Sequence, residues 1–487
     1  MNGVLREVSG QAPILTAAEL AAARRDLPFP CALRLGDGSH LDLLRPLRVL
    51  PGKRIVGEGL WNGRRVLAKL FISSGSARHW RRERDGLALL TAAGIPTTPI
   101  LAAGALAEDG HYLLTAFLPD ARSLASELEN GGNARARLEA VCARLGQLHA
   151  HGLVHGDPHP GNFLFDVDEP LVIDGDAVQR RAAPLPGPDA DAGLAQLLAG
   201  LPPEKTLDTL IAAYRTGNPR HAPSPAALWT QIDRYRRARL MDYLRKTVRS
   251  CSLFEVRRTV RRFTVVARAD AAALAPLLAD PDRAMASGIP LKKGCTATVA
   301  RVEIDGRILT VKRYNIKNAA HALSRAWRPS RAWHSWREGH RLHFLGIATP
   351  MPRALIEERL GPMRRRAWLV TDYHGGRNLL EHLAPHVDDA APPPAESEAL
   401  TRFFATLHMH RIAHGDLKAN NLLWDEAQGI VVIDLDAMTQ YTCAAAHARA
   451  WRRDRARLLA NWPADSELHR WLDEHLPPVF QRHFLAA

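Results

Sequence analysis

The sequence predicts an α+β chain in which one bilobal architecture, a small β-rich lobe followed by a helical lobe, occurs twice in tandem. Two observations predict it: a detailed internal repeat, and the same order of strand-like and helix-like patterns ahead of each copy of that repeat. Length allows it, because 487 residues exceed what one core ordinarily organises and suit two domains of roughly 200–250 residues.

The repeat is explicit. Residues 155–177 read HGDPHPGNFLFDVDEPLVIDGDA and residues 414–437 read HGDLKANNLLWDEAQGIVVIDLDA. Each has His-Gly-Asp, an Asn five residues after that Asp, an apolar triplet, a turn and Ile-Asp-x-Asp-Ala. The offset is 259 residues at His155/His414 and 260 at Asp174/Asp434, so a single residue separates the two spacings. Repetition at this level of detail marks a duplicated structural unit.

The elements ahead of each repeat follow in matching order. Leu67-Ala68-Lys69-Leu70 and Leu309-Thr310-Val311-Lys312 each place a lysine at the end of an apolar, strand-like run. A glycine-bearing turn is expected before each: Gly57-Glu58-Gly59 in the first copy and Lys293-Gly294-Cys295-Thr296 in the second. Next come helix-like stretches, RRERDGLALL and SWREGHRLHFL, in which Glu83 and Glu338 are followed by leucines at +4 and +7. The sequences GIPTTP and GIATP close these helices, and HYLLTAFLPDARSL and AWLVTDYHGGRNLL then read as strands running into a turn and a new helix. The seam falls between 235 and 285, and the boundary is placed near 240, giving domains 1–240 and 241–487.

The chemistry these residues suit is phosphoryl transfer. That reaction needs metal ions on the phosphates, a cation on the nucleotide and a group that orients the attacking hydroxyl. Asp416 is placed to accept the proton of an acceptor hydroxyl. Asn421 and Asp434 are hard oxygen donors suited to Mg²⁺ (or Mn²⁺). Lys312 can reach the phosphates of ATP if Glu338 holds it, beneath a covering turn at Gly294. Asp157, Asn162, Asp174, Lys69 and Glu83 take the matching places in the first copy, with Gly57 and Gly59 in its covering turn. Of each acidic pair, the first member (Asp174, Asp434) is the metal candidate rather than Asp176 or Asp436. His155 and His414 are expected to hold the loop backbone by hydrogen bonds.

Lysine, glutamate, H-x-D-x-x-x-x-N and an apolar-Asp-x-Asp element together resemble the protein-kinase-like superfamily. The departures narrow the resemblance: the loop reads HGD, IDLD stands where a protein kinase has DFG, and no A-P-E follows Asp434. Instead the chain passes quickly into the helix-like AAAHARAWRRDRARLLANW. HGDLKANNLLW and the Arg/Trp-rich approach to Glu338 are most similar to the lipopolysaccharide core kinases of the Kdo/WaaP and InaA type, over most of residues 245–465. The first loop, HGDPHPGN, is closer to small-molecule kinases and the atypical kinases of quinone biosynthesis, with His159 where the second copy has Lys418. The resemblance implies an ATP- and Mg²⁺-dependent kinase phosphorylating a sugar, heptose above all, of the lipopolysaccharide inner core. It also implies the core glycolipid as acceptor, core-assembly enzymes as possible partners, and peripheral attachment to the cytoplasmic face of the inner membrane. The alternatives are a protein Ser/Thr or Tyr kinase, against which the missing A-P-E region argues, and a small-molecule kinase in which one domain is a regulatory pseudokinase.

Composition sets bounds. Lys plus Arg (65) less Asp plus Glu (51) leaves +14, which favours anionic partners. Two regions concentrate the charge: 234–268, with Arg257, Arg258, Arg261 and Arg262, and 325–341, where Arg325, Arg328, Arg331, Arg337 and Arg341 interleave with Trp327, Trp333 and Trp336. Such mixtures suit a headgroup interface as well as a solvated helix face. No helix-turn-helix, finger or RNA-binding signature is present, so nucleic acid is not an expected partner. Five scattered cysteines without a CxxC pair predict neither a zinc site nor a disulfide framework. The opening stretch MNGVLREVSGQAPILTAAEL has no basic patch followed by an apolar core, which predicts no signal peptide. No apolar run approaches the ~20 residues needed to span a bilayer.

Overall fold

The computed structural model describes residues 12–130, 133–201, 207–315, 329–361 and 363–478. The chain forms two compact units, Met1–Ala238 and Arg239–Ala487. Each is a protein-kinase-like bilobal domain, with an antiparallel sheet and one long helix followed by a helical lobe.

In the first unit the six-stranded sheet runs in the order Cys31–Arg34, His40–Leu50, Arg54–Trp61, Arg64–Phe71, His111–Ala116, Ile100–Ala105. In the second, seven strands run Phe254–Arg258, Arg262–Ala267, Pro352–Leu360, Met363–Asp372, Arg307–Tyr314, Ala297–Ile304, Ile289–Lys293. Five strands correspond. The first unit adds Cys31–Arg34 beside His40–Leu50, whereas the second adds the hairpin Phe254–Ala267 at its opposite edge.

The hairpin leading into each lysine strand is built the same way. Asn62-Gly63 and Asp305-Gly306 link the paired strands, and all four residues have positive φ (49°, 73°, 49° and 72°). Two consecutive left-handed residues make the turn whose twist matches that of the strands it joins, and Asn-Gly or Asp-Gly adopts it readily. The turns set one register: Lys69 lies opposite Val56 and Lys312 opposite Val299, each thirteen residues back. Gly57 and Gly59 therefore lie inside strand Arg54–Trp61, not in a turn as their spacing suggested. Their lack of a side chain suits the neighbouring strand, since a Cβ on Gly59 would come within 2.7 Å of the Asp42 carbonyl oxygen. The first-unit turn at the position of Gly294 is Pro51-Gly52-Lys53.

Behind each sheet lies one long helix, Ala77–Ala92 or Arg331–Phe344. The helical lobes enclose separate cores, one around Leu145, Phe163, Leu194 and Tyr214, the other around Phe404, Leu417, Trp451 and Leu472. After Asp434 the chain makes a short turn and enters helix Ala444–Leu459, as the helix-like stretch that follows Asp434 predicted.

Trp336 is wholly buried and Arg341 nearly so. Within helix Arg331–Phe344 the Arg/Trp-rich stretch is thus a packed element rather than an exposed interface. Arg325, Trp327 and Arg328 lie outside the described residues.

Candidate active site

Each HGD loop is tied to its Ile-Asp-x-Asp turn by the same frame. In the second unit the Asp416 N–H donates to His414 Nδ1 at 3.3 Å, and His414 Nε2 donates to the Ile433 carbonyl at 3.0 Å. Asn421 Nδ2 donates to the Asp416 carbonyl at 2.9 Å, while the Ile433 N–H donates to the Asn421 carbonyl at 2.9 Å. In the first unit His155, Asp157, Asn162 and Ile173 repeat all four bonds, at 3.2, 3.0, 2.9 and 3.0 Å. Because Nδ1 accepts an N–H in both, the proton sits on Nε2 and each imidazole is neutral. Burial pushes His155 below its ordinary pKa, in keeping with a structural clasp.

The frame brings Asp157, Asn162 and Asp174 together, and likewise Asp416, Asn421 and Asp434. Asp174 and Asp434 both sit in the left-handed region, at φ 68° and 59°. This conformation costs a non-glycine residue about 1–2 kcal/mol and recurs where function requires a particular carboxylate direction. Asn421, its amide nitrogen engaged by the loop, keeps its side-chain oxygen as a candidate metal ligand. An Asn oxygen and an adjacent carboxylate fit Mg²⁺, which takes one or two protein oxygens and completes its shell with phosphates and water.

The lysine partners differ between the units. Lys69 Nζ pairs with Glu83 Oε1, and Glu83, fully buried, also accepts the N–H groups of Gly175 and Asp176 at 3.2 Å each. Arg54 approaches the same carboxylate at 3.8 Å. In the second unit Lys312 does not meet Glu338. Its Nζ lies 2.6 Å from Asp434 Oδ1 and 2.9 Å from Asp436 Oδ2, while Glu338 pairs with Arg341 at 2.7 Å.

The helix register gives the reason. Glu83 stands eleven residues before Gly94, and eleven residues before Gly346 stands Ser335. Glu338 is three residues further on, rotated by about 60° and raised ~4.5 Å along the axis. Ser335 Oγ donates to Asp436 Oδ1 at 2.8 Å, and Tyr314 Oη does so at 2.6 Å. Burial pushes the Asp436 carboxyl up, but Lys312 and these two hydroxyls outweigh it and hold the group below the usual carboxylate range.

The second acid of each pair is thus a brace. Asp176 plays this part in the first unit, bound by His79 and Arg82 at 3.0 Å each.

At the HGD loop, Lys418 Nζ lies 3.1 Å from Asp416 Oδ1, and Arg457 Nη1 lies 3.4 Å from the same oxygen. Arg457 also donates to the Gly415 carbonyl at 2.7 Å. The first unit replaces this pair with uncharged or weakly basic groups. His159 Nε2 lies 3.8 Å from Asp157, and Gln196 donates to the Gly156 carbonyl at 3.2 Å. Spacing alone did not reveal Arg457 and Gln196, which reach the loops from later helices, nor Ser335 and Tyr314, which share the Glu338 helix and the Lys312 strand but meet Asp436 across elements.

A duplicated bilobal fold with lysine, HGD loop, asparagine and a left-handed aspartate defines a kinase-like phosphotransferase. The sequence profile of the lipopolysaccharide kinase (Kdo/WaaP) family matches residues 65–201 and 290–462, one stretch in each unit. The chain belongs to this family, whose kinase activity implies the use of ATP. No match was found among curated proteins.

Proposed function

We propose that this protein is an ATP- and Mg²⁺-dependent kinase that phosphorylates a sugar hydroxyl, most simply that of a heptose, in the lipopolysaccharide inner core. The observation that carries the reading is the 2.6 Å contact between Lys312 on its strand and Asp434 on the left-handed turn. It supports a phosphate-binding role for Lys312 next to a metal-binding role for Asp434, one loop away from Asp416.

Asp416 orients the acceptor hydroxyl and takes its proton as the oxygen attacks the γ-phosphorus and the bond to the bridging oxygen of ADP breaks. Lys312 neutralises the α- and β-phosphates, while Asn421 and Asp434 hold the metal. Mg²⁺ supplies charge neutralisation on the phosphate oxygens. Asp157, Lys69, Glu83, Asn162 and Asp174 take these roles in the first unit. Gly294 lies in the hairpin turn that covers the phosphates. Lys418 and Arg457 make the second acceptor side cationic, which suits a phosphorylated or carboxylate-bearing glycan. Such an acceptor is carried on lipid, so the protein works at the cytoplasmic face of the inner membrane as a peripheral protein. No helix among the described residues is long and apolar enough to cross a membrane.

One observation favours a second reading, in which one unit binds nucleotide and regulates the other. Lys69 is held by a helix glutamate, whereas the matching glutamate of the second unit, Glu338, is taken by Arg341 and leaves Lys312 without that support. Separate Asp157→Ala and Asp416→Ala variants decide between the readings, assayed for ATP-dependent transfer to core glycolipid. Each change should lower turnover of its own unit by about 10²–10⁴-fold with no loss of fold. Activity lost in only one variant identifies the other unit as silent; full activity in both refutes the mechanism.

A further inference from the structure

We infer that the paired hairpin tips of the second unit, around Val260 and Leu360, form a docking site for an anionic phospholipid surface. The inference deepens the membrane reading above and rests on it for its purpose, but its test needs no phosphoryl transfer.

Two turns meet at one end of the seven-stranded sheet. Strands Phe254–Arg258 and Arg262–Ala267 close through Thr259, Val260 and Arg261. Thr259 Oγ1 accepts the N–H groups of Arg261 and Arg262 at 3.3 and 3.0 Å. Strands Pro352–Leu360 and Met363–Asp372 close at Gly361, whose φ is 59°. The turns are joined by backbone bonds from Arg359 N–H to the Arg261 carbonyl at 2.7 Å and from Gly361 N–H to the Val260 carbonyl at 3.0 Å. They form one joined edge of the sheet.

At its apex the two apolar side chains face water, Val260 at 71% and Leu360 at 56% exposure. Around them the acids are already taken. Glu357 pairs with Arg359 and Arg364, and Glu358 with Arg366. Exposed Arg258, Arg261 and Arg365 have no carboxylate partner among the described residues.

An apolar apex ringed by unneutralised guanidinium groups matches a bilayer interface in both respects. The aliphatic groups enter below the headgroups and the arginines meet lipid phosphate. A nucleic-acid backbone would engage the arginines alone and leave the valine and leucine in water. The strand register supplies the geometric link to the site. Met363–Asp372 extends past Tyr314, opposite Ala367, so the tips project from the same end of the sheet as the Gly294 turn. Docking there would bring the phosphate-covering turn toward the membrane in which a lipid-anchored acceptor lies.

The test is co-sedimentation of the full chain with vesicles of phosphatidylcholine alone or mixed with phosphatidylglycerol. Wild type should pellet with the anionic vesicles only, and less so as salt is raised. Val260→Ser with Leu360→Ser should lose most of this binding. Arg258→Gln, Arg261→Gln and Arg365→Gln together should weaken it on the order of a hundredfold. Asp416→Ala should bind vesicles as wild type does, which separates failure of this inference from failure of the kinase reading. If wild type ignores anionic vesicles, or either tip variant binds as well as wild type, the inference is wrong. Should a tip variant not fold, Leu360→Trp gives an independent readout. Its emission should shift to the blue with anionic vesicles, and an unchanged spectrum overturns the proposal.

Discussion

Glu83 and Glu338 carry the same local pattern, a buried glutamate on a helix behind a lysine strand, yet their side chains do different work. Glu83 organises Lys69 and two backbone N–H groups; Glu338 neutralises the buried Arg341. Their substitutions should separate cleanly. With the second unit silenced by Asp416→Ala, Glu83→Gln should lower ATP-dependent turnover of the first unit at least about tenfold, equivalent to ~1.4 kcal/mol. Glu338→Gln leaves a buried guanidinium without its counter-charge and should cost on the order of 3–5 kcal/mol of stability, read as a lower unfolding midpoint in urea. If Glu338→Gln were instead thermodynamically silent while weakening ATP binding, the pairing described here would be wrong. The leucines at +4 and +7 concealed this difference, because Leu87 and Leu90 in one helix and Leu342 in the other are all buried. Counting back from the terminal Gly-Ile of each helix exposes it.

At the level of elements, the first unit depends on a close approach between helix Ala77–Ala92 and the Asp174–Ala177 turn. A Cβ on Gly86 would lie 2.0 Å from the Gly175 carbonyl oxygen, and one on Gly175 would lie 2.2 Å from the Glu83 carbonyl oxygen. The two glycines let Glu83 reach the turn's N–H groups. In the second unit Leu435 occupies the place of Gly175 and Glu338 that of Gly86, so that approach is filled and the lysine turns to the aspartates. Gly86→Ala should force the helix away, costing about 1–3 kcal/mol and loosening the Lys69–Glu83 pair. Thermal unfolding and nucleotide titration in a Lys312→Ala background would show both effects. A variant with unchanged stability and nucleotide affinity would mean that the contact is dispensable. The Asn62-Gly63 and Asp305-Gly306 turns were legible signals at this scale, and they put the first-unit counterpart of the Gly294 turn at Pro51-Gly52-Lys53 rather than at Gly57–Gly59.

Across the whole molecule, each unit buries a histidine that cannot readily charge. Burial drops His149 in the first unit and His340 in the second to about 3 from an ordinary 6.5. The unfolded chain binds these protons more readily than the folded one, so each histidine favours unfolding as pH falls from 6.5 toward 3 and is without effect above 6.5. At pH 5 the loss should be about 2 kcal/mol for each group. Urea unfolding followed at neutral pH and at pH 5 should show a lower midpoint at pH 5. His149→Gln should reduce the drop in the first unit; an identical pH dependence in that variant would remove His149 as its source.

The amino-acid order by itself determined the duplicated fold, the lysine strands, the HGD loops with their asparagines and acidic pairs, and the family to which the chain belongs. These features are local: turn chemistry, strand alternation and short fixed spacings leave the backbone few alternatives, so residues such as Asp416 and Asn421 can be read from the chain. Only the tertiary structure decided which groups meet across elements. It joined Lys312 to Asp434 and Asp436, gave Glu338 to Arg341, brought Arg457 and Gln196 to the HGD loops, and set Val260 beside Leu360. Such contacts depend on helix rotation and on how closely two elements approach, and a shift of three residues or one glycine exchanged for leucine changes the partner while leaving the local pattern intact.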